Sequence, residues 1–269
     1  MRTILITGAT DGIGLATARA LALPGVKLLI HGRDMSRAQA ACTVIAEETA
    51  GVEVVPLVAD FRELAQVRAL AQSVRKSTDA LDVLINCAGA YFTERQFTAD
   101  GRELTMAVNH DAHVLLTLLT WPLLKRASGS RVINVTCARY RLGKLNPSVT
   151  DADLSDVPAS AYPRSKLAQV LFSQALARLQ PGVSVHSVHP GVTDTKLLRA
   201  SSTSTPGVPP ADSTATLLYV VNGRVPGTVS GRHYEREAEV AVTEPAADAS
   251  LADAWFAQSL KRVGEPKWP

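Results

Sequence analysis

RTILITGATDGIG, Arg2 to Gly14, joins a short apolar run to three glycines and opens onto an alanine- and leucine-rich stretch ending near Leu23. An apolar run of this length, stopped by glycine, reads as a buried parallel strand. The stretch beyond it reads as a helix. Gly8, Gly12 and Gly14 therefore stand at a strand-to-helix turn. A backbone without Cβ atoms can approach a phosphate there, and the helix amino terminus adds free N–H groups and a positive dipole. The spacing is G-x-x-x-G-x-G rather than G-x-G-x-x-G. Three glycines could also serve only a tight turn, but their place between strand and helix favours a nucleotide.

The same alternation continues outward. Val26–His31 reads as a strand, Arg37–Ala50 as a helix, Val52–Val58 as a strand and Glu63–Ser77 as a helix. Leu81–Ile85 is a strand running into NCAG, Asn86 to Gly89. Gly101–Arg126 is expected as one long helix carrying Asn109, followed by a strand over Arg131–Thr136. A helix around Tyr162 precedes the strand Val183–His189 and its HPG turn. Asp212–Val221 is expected as a helix, Gly231–Glu235 as the last strand and Ser250–Val263 as the closing helix. Repeated strand–helix units predict an α/β fold, a doubly wound parallel sheet of Rossmann-like form, with ligands at the carboxyl ends of the strands. With no repeat and no linker, one domain over residues 1–269 is expected.

Composition narrows the function. The 269 residues are 46% hydrophobic and 20% charged, enough for a sizeable core, and a net charge of +3 gives no case for nucleic acid. The longest apolar stretch, His113–Leu124, is too short and too rich in threonine to span a bilayer. A strand beginning near the first residue leaves no room for a signal peptide. Cys42, Cys87 and Cys137 form neither a metal-type spacing nor an even framework. A cytoplasmic setting is expected. His186 and His189 alternate along a strand with no carboxylate nearby in sequence, which reads as packing rather than metal ligation.

Chemistry concentrates in SAYPRSKLAQV, Ser160 to Val170, where Tyr162 and Lys166 stand four apart and share a helix face. The lysine charge is expected to favour the phenolate and lower the tyrosine pKa towards neutrality. A phenol so tuned can give a proton to a carbonyl oxygen or take one from an alcohol. Alone, Y-x-x-x-K more often marks a wet helix face. At the end of the second strand, Arg33 stands where a basic residue accommodates a 2′-phosphate, which favours NADP(H) over NAD(H). Asp60, at the end of the third strand, could cap a helix or accept from an adenine amine.

Taken in order, TGATDGIG (Thr7–Gly14), Asp60, NCAG, Asn109, NVTC (Asn134–Cys137), Tyr162-x-x-x-Lys166 and HPGV (His189–Val192) resemble the short-chain dehydrogenase/reductase family across nearly the whole chain. HGRD, AVNHDAHVLLT and SKLAQVLFSQALA resemble its retinol-dehydrogenase-like and WW-domain-oxidoreductase-like branch. The resemblance implies that Gly8, Thr10, Asp11, Gly12, Ile13 and Gly14 cradle the pyrophosphate and Arg33 meets the 2′-phosphate. It implies that Asp60 and Phe61 border adenine, and that Asn86, Ala88 and Gly89 line the ribose. Pro190, Gly191, Val192 and Thr193 would bracket the nicotinamide. Tyr162 would be the acid/base, Lys166 its tuner and ribose ligand, and Asn109 the holder of a relay water. Relatives also pair their two longest helices across a two-fold axis, which implies a dimer.

The sequence departs from that pattern at Cys137, where the family carries a serine that binds the substrate oxygen. A thiol is a weaker donor than a hydroxyl, and Thr136 could replace it if the strand end shifts by one residue. Two substrate-side loops are expected, near 138–160 and 193–211. They carry Arg139, Arg141, Lys144, Arg164, Lys196 and Arg199. An anionic substrate would explain these cations, and so would ordinary solvated loop charge. The expected activity is NADP(H)-dependent interconversion of a carbonyl and an alcohol on a small molecule. The alternatives are a lyase, cyclase or isomerase on the same fold, or an NADP(H)-sensing binding protein.

Overall fold

The computed structural model describes residues 1–148, 151, 158–201, 204–223, 229–265 and 267–268; the side chains of 158 and 159 are left out. The strands are β1 (Arg2–Ile6), β2 (Val26–Gly32), β3 (Glu53–Val58), β4 (Val83–Asn86), β5 (Arg131–Val135), β6 (Ser184–His189), β7 (Arg232–Glu235) and β8 (Ala238–Glu239). They form one sheet in the order β3-β2-β1-β4-β5-β6-β7-β8. All neighbours are parallel except β7 and β8. β8 was not expected from sequence: two residues carry no period, and the hairpin is made by Arg236 and Glu237, both with positive φ.

Alternate strand residues feed two apolar layers, which is why the strands read as continuous apolar runs. Leu5, Leu29, Leu84 and Val132 face one layer, and Ile4, Ile6, Leu28, Ile30 and Ile133 face the other. The second layer is closed by α1 (Gly12–Leu21), α2 (Met35–Glu48) and α8 (Ala215–Val221). The first is closed by α3 (Leu64–Ser77), α5 (Ala112–Leu124), α6 (Pro158–Leu179) and α9 (Ala249–Arg262). Buried residues in α3 fall at Val67, Leu70, Ala71 and Val74, the stripe of a helix with one face inward.

The single long helix expected over Gly101–Arg126 is instead a short α4 (Leu104–Met106), a π turn (Ala107–Asp111) and α5. Glu103 starts it, its carboxylate accepting from the N–H groups of Thr105 and Met106. The wider π turn bears Asn109, His110 and Asp111, all buried polar residues that must aim at partners on different sides.

Those partners lie partly on α9. Trp255 Nε1 donates to His110 Nε2 at 3.2 Å, and Arg262 pairs with the buried Asp111 at 2.7 Å. Phe256 stacks on Phe172 of α6, and Trp268 meets Trp121 of α5 edge-on. Eleven of the thirteen residues of α5 are buried within the chain. α9 and Trp268 thus pack against α6 and α5, the two helices expected to pair across a two-fold axis.

Candidate active site

β1 has β2 on one side and β4 on the other, so the chain reverses its winding there and the turns after β1 and β4 part to leave a crevice. They meet at its base. A Cβ on Gly8, whose φ is +66°, would lie 2.7 Å from Ala88 Cα. Thr7 Oγ1 holds the two turns together by accepting from the N–H groups of Cys87 and Ala88 at 2.9 and 3.0 Å. Gly12 also has positive φ, and Asp11 caps the amino terminus of α1. This small-residue cradle beneath a helix amino terminus fits the pyrophosphate of a dinucleotide.

A segment not foreseen as part of the cradle closes over it. Thr195 caps α7 (Lys196–Ala200), and a Cβ on Gly12 would stand 3.1 Å from Thr195 Cγ2. Lys196 Nζ reaches Asp11 at 2.6 Å, and Arg37 comes to the same carboxylate at 3.4 Å. The hydrogen bond from Lys196 holds the Asp11 carboxyl below its ordinary pKa. From sequence this stretch was expected only as part of a substrate-side loop near 193–211. Nothing in it told where α7 would land.

The other expected cofactor residues are placed unevenly. Thr10 and Ile13 lie half-buried in the turn, and Gly14 is buried under it. Arg33 is exposed at the end of β2 beside Asp60. Asp60 neither caps α3 nor stands open to a base: its carboxylate takes the Arg62 N–H at 3.0 Å and the Arg62 guanidinium at 2.5 Å. Phe61 does not border the crevice surface. It is buried, stacked on His31 at 4.5 Å and edge-on to His113 at 5.3 Å. The Asn86 side chain also turns inward, donating to Thr117 and Asn134 at 3.0 and 2.8 Å. Gly89 lies beside Asn109 and Leu197. Pro190 and Gly191 are half-buried and Val192 is exposed after β6, whereas Thr193 is buried with its hydroxyl on Ser213 at 2.6 Å.

Tyr162 and Lys166 lie on one face of α6, as spaced, with Lys166 Nζ 5.6 Å from the centre of the phenol ring. The expected electrostatics is reversed. Tyr162 is 7% exposed, and burial pushes its pKa well above the ordinary value. The neighbouring Cys137 thiol pushes the same way. Lys166 is turned from the phenol oxygen, donating to Val135 O at 3.0 Å and Gln169 Oε1 at 2.9 Å. Its own pKa is brought down to about 8 by burial. Lys166 is not among the groups that shift the Tyr162 pKa.

Cys137, not Thr136, holds the place beside the phenol. The Thr136 hydroxyl is buried and donates to the Lys166 carbonyl at 3.3 Å. Asn109 is committed to the protein: its Oδ1 accepts from Ala90 N–H at 2.8 Å, and its Nδ2 donates to Ala90 O and Ser165 Oγ, each at 3.0 Å. Its backbone carbonyl meets His113 Nδ1 at 3.0 Å. His113 and Gln169 were absent from the sequence reading, because each looked like one more residue on an apolar helix.

The loop cations are mostly spoken for. Arg141 pairs with Glu235 at 2.7 Å, Lys196 with Asp11, Arg199 with Asp194, and Arg164 donates to Ser160 Oγ at 2.8 Å. Residues 149–150 and 152–157 of the first substrate-side loop, and 202–203 of the second, lie outside the described residues. Among the described residues no helix is long and apolar enough to cross a membrane.

Residues 2–205 match the short chain dehydrogenase family model, and the chain belongs to that family of oxidoreductases. A Streptomyces sp. (strain C5) protein named for daunorubicin C-13 ketoreduction is 35% identical over 271 residues, covering 98% of this chain and 93% of the relative. Human retinol dehydrogenase 12 is 37% identical over 203 residues, 75% of this chain but 64% of the relative's length. Among solved structures, an uncharacterized protein from Mycobacterium paratuberculosis superposes with a TM-score of 0.78 at 30% identity, covering all of this chain and 95% of the other. A short chain dehydrogenase from Burkholderia cenocepacia in complex with NADP gives 0.68 at 27% identity, over 86% of this chain and 94% of that one.

Proposed function

We propose that this chain interconverts a carbonyl and an alcohol on an apolar small molecule with NADP(H), and that Tyr162 is the general acid/base. The observation that carries the proposal is one of place. A buried phenol has on its helix face a lysine that reaches the NCAG turn, where a Cβ on Gly89 would lie 3.9 Å from Lys166 Nζ. Gly8, Gly12, the amino terminus of α1, Ala88 and Gly89 would hold the dinucleotide, with Arg33 toward a 2′-phosphate. When bound, that group supplies or accepts the hydride.

The chain's own residues handle the proton. A phenol kept protonated by burial can donate to a carbonyl oxygen. Cys137 stands beside the phenol to steady the same oxygen. Lys166 lies behind the ring to offset charge on the phenolate formed. Tyr91, 5.5 Å from the Tyr162 ring, gives the phenol an apolar neighbour. With four of the six loop cations already partnered, an anionic substrate loses its support. Of the two relatives, one is named for ketoreduction of daunorubicin and the other for dehydrogenation of retinol, a carbonyl and an alcohol.

The test is NADPH consumption with retinal and with daunorubicin, repeated with NADH and with Tyr162→Phe. Turnover that needs Tyr162 and prefers NADPH is expected. Equal turnover by Tyr162→Phe overturns the acid/base assignment, and a preference for NADH overturns the role of Arg33.

A further inference from the structure

The ammonium of Lys166 has three protons, and two are spent inside the protein. One goes to the Val135 carbonyl at the end of β5, the other to Gln169 Oε1, one helical turn further along α6. Gln169 is 2% exposed and cannot serve water. Its amide is oriented by its surroundings, since the opposite orientation would set NH₂ against NH₃⁺. Gln169 Nε2 in turn lies 3.4 Å from His113 Nδ1.

His113 has one consistent protonation state. Its Nδ1 faces the Asn109 carbonyl, which only accepts, so Nδ1 carries the hydrogen. Its Nε2, 3.1 Å from Thr7 Oγ1, then accepts from that hydroxyl. Thr7 Oγ1 accepts from the two N–H groups of the NCAG turn. With the hydrogen on Nδ1, that nitrogen and the Gln169 amide nitrogen are both donors, so the two side chains touch without a hydrogen bond and the polar chain from the cradle floor ends at the Asn109 carbonyl.

We propose that Gln169 is a positioning residue for Lys166: its amide oxygen stabilises the ammonium and aims its third proton into the crevice. The proposal rests on Tyr162 and Lys166 being the acid/base pair. Besides Gln169, the groups facing Lys166 are the Cys87 and Cys137 thiols at the ends of β4 and β5, His113 on α5, and the Tyr162 phenol. Each thiolate would raise the lysine pKa, and burial lowers it. Gln169 is the group that stabilises the charge while remaining neutral across the working pH range.

The experiment is an NMR titration of [¹³C]lysine-labelled, ligand-free protein, with Lys166 assigned by its loss in Lys166→Met. Gln169→Leu is expected to lower the Lys166 pKa by about one unit, a tenfold change in the protonation equilibrium. Gln169→Glu, which keeps the size and adds a charge, is expected to raise it by at least about as much. Should Gln169→Leu not fold, Gln169→Glu alone still decides. A Lys166 titration unmoved in the variants that fold overturns the proposal. The pH profile of phenanthrenequinone reduction by NADPH gives the second readout: a shape unchanged in Gln169→Glu counts against positioning. Because the titration needs no turnover, the proposal can fail while Tyr162→Phe still abolishes activity. Equally, an active Tyr162→Phe would sink the acid/base reading with the titration result left standing.

Discussion

The two ends of the crevice treat charge in opposite ways. At the glycine turn, the side chains of Asp11, Lys196 and Arg37 are 51%, 72% and 47% exposed, and water screens their pairing. At the other end, Tyr162 and Lys166 are 7% and 4% exposed, and both pKa values are set first by burial. Two ion pairs hold the wet end loosely shut. In the dry end, each proton's position is decided by a named carbonyl, amide or thiol. Charge near a phosphate site can be read as charge. Beneath the active tyrosine it has to be read as protonation state.

Acid should open the dry region first. Burial brings His31 and His110 down to about 4 and His113 to about 3, from an ordinary 6.5, so all three are neutral in the fold. Below pH 6.5 the unfolded chain binds protons that the folded chain refuses. Their contribution is whole above about 6.5 and drains away as pH falls towards 4, at about 3 kcal/mol for a shift of this size. Thermal melts at pH 7.5, 6.0 and 5.0 should show a steep fall in Tm. A Tm that holds to pH 5.0 would show that these sites are wetter than the contrast requires.

The next effect is kinetic. Tyr162→Phe should cost roughly 10²–10⁴-fold in turnover while leaving Tm within a few degrees, because only the hydroxyl is lost. Cys137→Ser should raise turnover by about tenfold, part of the ~10²–10³ that a good oxyanion donor contributes. No gain with serine would mean that the thiol already fits the substrate oxygen. The smallest effect belongs to the wet end. Lys196→Ala should change unfolding free energy by less than about 1 kcal/mol, with the difference shrinking further in 1 M salt. A larger loss would show that the α7 closure is held by more than screened charge.

Much of this was legible before the fold was known. The glycine spacing placed the turn, and the parallel strands fell within a residue or two of their expected bounds, because one-faced and two-faced burial write different periods into sequence. Tyr162 and Lys166 were found together for the same reason: four residues make one turn of helix. What sequence could not show was direction. Asn86, Phe61 and Thr193 occupy expected positions, yet their side chains turn into the core. The π turn at Ala107–Asp111, the landing of α7 on Gly12 and the packing of α9 against α6 all depend on residues far apart in the chain.

The sequence by itself determined most of the order of elements, the glycine turn after β1 and the Tyr162–Lys166 pair, since these follow from local periodicity and backbone freedom. Tertiary structure alone decided which of those residues face the ligand, which carry a proton and which are already partnered. Desolvation and hydrogen-bond geometry arise only once distant segments have packed and excluded water.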